Sequence, residues 1–198
     1  MIDGIIFSKK QMWKYIVTTL YCILWHIASE PIRLVYVDQI TAWWPPQTMV
    51  HDMAVPGYAT PHNYNYVALA FWLSSGPTDI ALLWSDPITY MGTEFGSTTQ
   101  EVQAFLKQKY TDAGVKLLVS AFGSTDHPTD LDPVTVATNL ADFVKNNMFD
   151  GVDIDYEHNS AMEAGTGKPW LKDFTIALRN QLPGYIISHA PQAPYFST

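Results

Sequence analysis

The stretch FDGVDIDYEH at residues 149–158 concentrates four acidic side chains, Asp150, Asp153, Asp155 and Glu157, in an otherwise apolar run. Asp153, Asp155 and Glu157 alternate with Val152, Ile154 and Tyr156, and strict alternation with β-branched and aromatic members predicts a strand. The three carboxyls then share one face, with neighbours about 7 Å apart along the strand, and Tyr156 belongs to the core on the other face. A solvated edge strand would carry such a face as well. Carboxyls this close resist ionising together, so one can keep a proton while its neighbours are charged. General acid/base chemistry on a neutral sugar needs such a set.

Several other chemistries fit poorly. With 11 Lys and Arg against 19 Asp and Glu, the net charge is −8 and no basic cluster exists to meet phosphates, so nucleic acid is not an expected partner. The single cysteine, Cys22, excludes an internal disulfide framework and a cysteine-rich zinc site. The six histidines show no HExxH spacing, and His158 points away from the carboxyl face by alternation, which suits a structural role. The DxDxE run resembles the opening of a calcium loop, but His158 stands where its glycine belongs and Ala164 where its closing glutamate belongs. Neither a metal nor a cofactor is expected.

The elements that must position the carboxyls follow from periodicity. Hydrophobic residues at 47% and aromatic residues at 14% support a globular core. Residues 32–38 and 65–73 read as buried strands, joined by a Pro/Gly-rich connection without a helix, and Phe71 and Trp72 read as core. Residues 74–97 read mainly as loop with the short apolar piece IALLW. Thr98 and Glu101 form a capping box ahead of a helix with Val102, Phe105, Leu106 and Ala113 on one stripe and Gly114 as its stop. A strand at 116–123 follows, then a helix opened by Asp132 and Pro133 with the stripe Val136, Leu140, Phe143, Val144 and Met148. After the acidic strand comes a helix with Leu171, Phe174, Leu178 and Leu182 on one face, ending at Pro183-Gly184, and then the strand YIISHAP. Strands alternating with helices predict an α/β fold with a parallel sheet, either doubly wound or a barrel. In a barrel, functional groups gather at the C-terminal strand ends, where Glu157 sits.

Asp150, Gly151, Asp153, Asp155 and Glu157 reproduce the DGxDxDxE signature, and the chain thereby resembles glycoside hydrolase family 18, the chitinases and related endo-N-acetylglucosaminidases. Five fixed residues at fixed spacing arise by chance in only about one chain of this size in ten thousand. The strand ending at Ser120 and Gly123 is similar to the family's SxGG strand, with Phe122 in place of the first glycine, and HAPQAP is similar to the segment after the fifth strand of plant-type chitinases such as hevamine. The resemblance covers residues 32–196, strands one to five of a TIM (β/α)8 barrel. It implies a partial barrel of about five parallel strands with covering helices. It further implies substrate-assisted hydrolysis of β-1,4 N-acetylglucosamine linkages in chitin or chitooligosaccharides: Glu157 as acid/base, Asp155 orienting the acetamido group, and Asp153 holding Asp155 in its protonation state. Asp150 is expected to be structural, closing the turn with Gly151, and Gln192 lines the cleft in the same resemblance.

Residues 1–29 differ from the rest. Lys9, Lys10 and Lys14 precede an apolar run, and Ala28 and Ser29 follow, the order of a secretory signal; a signal anchor or a non-native leader are the alternatives. The run is too short for a comfortable membrane span, so a secreted protein is expected, with residues 30–198 forming the N-terminal part of the catalytic domain. Trp43, Trp44 and Tyr195 are candidates for stacking on sugar faces, or for packing at the barrel mouth and a frayed terminus. The family's tyrosine on strand six and tryptophan on strand eight have no counterpart before Thr198, so a truncated chain is expected. Two other functions stay open: a chitin-binding lectin or inactive fragment, and an endo-β-N-acetylglucosaminidase on N-glycans. Oligomeric state is not legible.

Overall fold

Among the described residues the apolar runs become five parallel strands, β1 (Leu34–Val37), β2 (Tyr66–Leu73), β4 (Lys116–Gly123), β5 (Gly151–Tyr156) and β6 (Ile186–His189), paired in the order β1-β2-β4-β5-β6. The two-residue β3 (Gly76–Pro77) pairs antiparallel with the end of β2. A computed structural model describes residues 31–38 and 64–192, and these strands lie in the unit Arg33–Thr198. The leader-like residues 1–29, the connection after the first strand, Trp43, Trp44 and Tyr195 fall outside the described residues. The sheet is an α/β partial barrel, not closed.

Among the described residues six α-helices connect the strands: α1 (Asp79–Ser85), α2 (Pro87–Met91), α3 (Thr99–Asp112), α4 (Pro133–Asn146), α5 (Asn159–Glu163) and α6 (Gly167–Gln181). The expected capping box opens α3: Thr98 Oγ1 accepts from the Glu101 amide at 3.2 Å while Glu101 Oε2 accepts from the Thr98 amide at 2.9 Å. Asp132 caps α4, accepting from the Thr135 amide at 2.8 Å, with Pro133 in the first turn. Each such cap stabilises its helix by about 1 kcal/mol.

The outward face of the sheet, Val67, Leu69, Leu117, Val119, Ala121, Val152 and Ile154, is buried against Val102, Leu106 and Tyr110 of α3, Val136, Leu140 and Val144 of α4, and Phe174 and Leu178 of α6. Burying a side chain the size of Phe174 contributes about 3 kcal/mol. Tyr156 joins this core as expected, its ring 5.8 Å from that of Trp170. Trp72 is buried, and Phe71 is half-buried.

Two expectations need correction. Residues 74–97 contain α1 and α2 rather than mainly loop: Ile80, Ala81 and Trp84 fall on one helical face, and Asp86-Pro87 starts α2 with the same Asp-Pro device as Asp132-Pro133. Phe105 of α3 is 40% exposed and stacks on Phe95 at 4.8 Å. The buried place on α3 is taken by Gln103, whose amide nitrogen donates to the Trp84 carbonyl at 2.9 Å and to Asn147 Oδ1 at 2.8 Å. Those bonds make burial of a polar side chain tolerable.

Candidate active site

The inward face of β5 carries Asp153 and Asp155, and Glu157 lies one residue beyond its C-terminal end. Pairing places Ser120 of β4 and Ser188 of β6 beside Asp153, one on each side. Asp153 is 1% exposed. Its Oδ1 accepts from Ser188 Oγ at 2.5 Å and its Oδ2 from the Tyr36 hydroxyl at 2.8 Å. Tyr36 stands on β1, and in a flat sheet three strand spacings would separate β1 from β5 by about 14 Å. The hydroxyl reaches across only because the sheet curls with this face concave, and because Ala68 and Ala70 of β2, both fully buried, leave room for the ring. The Ser120 hydroxyl is buried and has no partner among the described residues.

Asp155 is pushed up to about 6 from the usual carboxyl value, first by burial, then by the charges of Glu157 and Asp153 and a hydrogen bond with Glu157. A proton therefore stays in the cluster at mildly acid pH. Both oxygens of Asp153 accept from hydroxyl donors. Burial and the bond to Asp153 push the Tyr36 hydroxyl far above its ordinary value, so it stays a donor.

The remaining motif residues surround this line. Asp150 is structural in its contacts: Oδ2 accepts from the Leu117 amide at 2.7 Å and from Lys107 Nζ, its amide donates to the Leu117 carbonyl at 2.7 Å, and its carbonyl accepts from the Ile186 amide at 3.1 Å. One side chain and its backbone thus tie together the starts of β4, β5 and β6. A Cβ on Gly151 would lie 2.1 Å from the Ile186 backbone oxygen, so only glycine admits this close approach. Gly123 has φ of +73°, and a Cβ there would meet the Phe71 ring at 3.0 Å.

Phe122 has φ of +82°, the left-handed region that glycine occupies without cost. In register it faces Asp155, and plain alternation would turn its ring toward the carboxyls. The positive φ turns the ring outward instead, against Phe174 at 5.3 Å and Trp170 at 5.9 Å. The Phe122 ring thus stays off the carboxyl face, as a glycine at this position would.

His158 takes the structural place expected of it. Its Nδ1 lies 2.7 Å from Thr129 Oγ1, which also bonds the Tyr156 hydroxyl at 2.7 Å, and its ring stacks on His127 at 4.4 Å. Gln192 is half-buried, with its side-chain oxygen unpartnered among the described residues. Sequence reasoning missed Tyr36 and Ser188. Each is a hydroxyl at an inward position of an otherwise apolar strand, and that alternation was the available signal. Among the described residues, no group of three or more His, Cys, Asp or Glu side chains is arranged to hold a metal ion, and no helix is long and apolar enough to cross a membrane.

Neither a family model nor a curated protein matches the chain. Among solved structures it is similar to a GH18 chitinase from Pseudoalteromonas aurantia, at 30% identity and a TM-score of 0.58 over 84% of this chain and 58% of that one. It is also similar to the chitinase domain of the spore coat protein CotE from Clostridium difficile, at 16% identity and a TM-score of 0.49 over 84% of this chain and 44% of that one. The chain thus spans less than two thirds of the length of either structure. With a DGxDxDxE strand carrying its carboxyls on the concave face of a parallel sheet, and with 30% identity to the Pseudoalteromonas chitinase over most of its own length, the chain has a chitinase-like fold, a partial barrel of parallel strands similar to that of a GH18 chitinase.

Proposed function

We propose that the chain belongs to a hydrolase of β-1,4 N-acetylglucosamine linkages that works by substrate-assisted acid/base catalysis. Glu157 donates its proton to the glycosidic oxygen as that bond to the anomeric carbon breaks. The carbonyl oxygen of the substrate's own acetamido group forms the new bond to that carbon, and Asp155 orients the group. Water then attacks the oxazolinium-type intermediate and gives a proton back to Glu157. Asp153 stands below them, held by the hydroxyls of Ser188 and Tyr36. Trp43, Trp44, Tyr195 and Gln192 contribute to the sugar-binding surface in this reading, and the signal-like residues 1–29 fit export toward an extracellular chitin-type glycan.

The observation that carries the proposal is Asp155 held near 6, between a hydrogen-bonded Asp153 and Glu157. Asp155 can keep a proton where an isolated aspartate would have lost it. The retained glutamate at the strand end favours turnover over binding alone. The test is hydrolysis of a chitotriose chain by residues 1–198, with the product anomer followed by proton NMR beside a de-acetylated chain of the same length. Release of the β-anomer from the acetylated substrate alone supports the mechanism. Equal cleavage of the de-acetylated chain contradicts it.

A further inference from the structure

Glu157 leaves β5 through one tight turn. Its carbonyl accepts from the Asn159 amide at 2.7 Å, and His158 between them has φ of −73° and ψ of 72°, which makes an inverse γ-turn. The central residue of such a turn sets how the backbone of Glu157 runs, and with it where the carboxyl is aimed. His158 is held from the loop after β4. Its Nδ1 lies 2.7 Å from Thr129 Oγ1, and its ring stacks on His127 at 4.4 Å with the planes 13° apart. Thr129 Oγ1 also bonds the Tyr156 hydroxyl at 2.7 Å, so the tyrosine, the threonine and a neutral imidazole form one satisfied chain of donors and acceptors. Burial and the neighbouring His127 lower the pKa of His158, against the charges of Asp130 and Asp126, and so favour the neutral ring.

The loop that supplies this brace is itself fixed. His127 and Thr129 lie on either side of Pro128, where a single 3-10 turn spans Pro128–Asp130. Asp126 is buried and accepts from the Ser74 amide at 2.5 Å and the Ser74 hydroxyl at 2.7 Å, which ties the loop to the end of β2. The Leu131 carbonyl accepts from Trp170 Nε1 at 2.8 Å, which ties it to α6. We infer that His158 is a positioning residue: its bond to Thr129 and its stack on His127 lock the γ-turn, and the locked turn aims the Glu157 carboxyl. The consequence for turnover rests on the reading of Glu157 under Proposed function, whereas the locking of the turn does not.

The experiment compares the full chain with four variants. His158→Phe keeps a ring for the stack and loses the bond, Thr129→Val loses the same bond from the other side, Thr129→Ser keeps the hydroxyl, and Tyr156→Phe removes the tyrosine's hydroxyl alone. Amide hydrogen exchange and chitotriose hydrolysis are measured on each. In His158→Phe and Thr129→Val the Asn159 amide exchanges about tenfold faster, while the amides of Val152 and Ile154 in β5 keep their wild-type rates. On chitotriose, kcat falls about tenfold in both with little change in KM, as for a misaimed group in an intact site. Combining the two substitutions lowers kcat no further, because both break one bond. Thr129→Ser restores the wild-type values, and Tyr156→Phe stays within about twofold of them although it also loses a hydrogen bond. Asn159 exchange unchanged in a folded His158→Phe or Thr129→Val chain overturns the inference, and so does a Tyr156→Phe chain as slow as Thr129→Val. Should one of the two bond-breaking variants lose the dispersed spectrum of a folded chain, the other decides by the same criteria. If the wild type hydrolyses no chitotriose, Proposed function fails, while Asn159 exchange still decides the role of His158.

Discussion

The two faces of β5 differ in almost every respect although they alternate residue by residue. Outward, Val152, Ile154 and Tyr156 are sealed under helices and contribute through volume and fit. Inward, Asp153 is fixed through hydrogen bonds from other strands, and Asp155 above it is set by burial, by the charges of Glu157 and Asp153 and by its bond with Glu157. One strand thus serves as a core element and as a mount for chemistry, so substitutions on the two faces should separate stability from titration and turnover.

The largest expected effect on stability is outward. Phe174→Ala removes a fully buried ring that packs on Trp170 and Phe122, and should cost about 4 kcal/mol, read by denaturant unfolding, without moving the Asp155 midpoint. Phe122→Gly sharpens the comparison. It deletes a ring of the same size but also relieves a bulky residue held at φ of +82°, so the net loss should be smaller than for Phe174→Ala by about 1–2 kcal/mol. Equal losses would mean that the left-handed backbone costs nothing here.

Those two phenylalanines also mark where the sequence was legible. Phe174 falls on a helical stripe with Leu171, Leu178 and Leu182, and periodicity alone placed it in the core. Phe122 stands where alternation would turn its ring toward the carboxyls, and only backbone dihedrals reveal that the ring faces the helices. The same division holds for the site. The acidic strand, its inward face, Glu157 at its end and the structural part of Asp150 followed from spacing and motif. Tyr36 did not, because it meets Asp153 across 117 residues of chain through the curl of the sheet, which no local pattern encodes. The helices α1 and α2 were hidden by their shortness: five to seven residues hold too few turns for a stripe to stand out.

A smaller effect comes from the inward face. Tyr36→Phe keeps the ring and removes one donor to Asp153. It should cost about 1–2 kcal/mol of stability and lower the Asp155 midpoint in a carbon-13 NMR titration of the side-chain carboxyls. A fall in stability with an unmoved midpoint would assign Tyr36 to packing alone.

The smallest effect is a pH-linked one. Asp155 has its folded value raised to about 6, above the ordinary value it regains on unfolding. The folded chain therefore binds more protons between about pH 4 and 6, and stability is lost as pH rises through that window. Asp155→Asn has no charge to desolvate. Its melting temperature should exceed that of the wild type at pH 7, and the gap should close by pH 4, with half exposure of the site keeping it small. A gap independent of pH would show that Asp155 carries no such charge cost.

The division of labour on β5 is tested most directly by Glu157→Gln, an isosteric change at the end of the inward face, measured for chitotriose hydrolysis and for melting temperature on the same samples. Turnover should fall by about a thousandfold or more while the melting temperature stays within about 2 °C of the wild type. A Glu157→Gln chain that hydrolyses chitotriose as fast as the wild type would contradict the account.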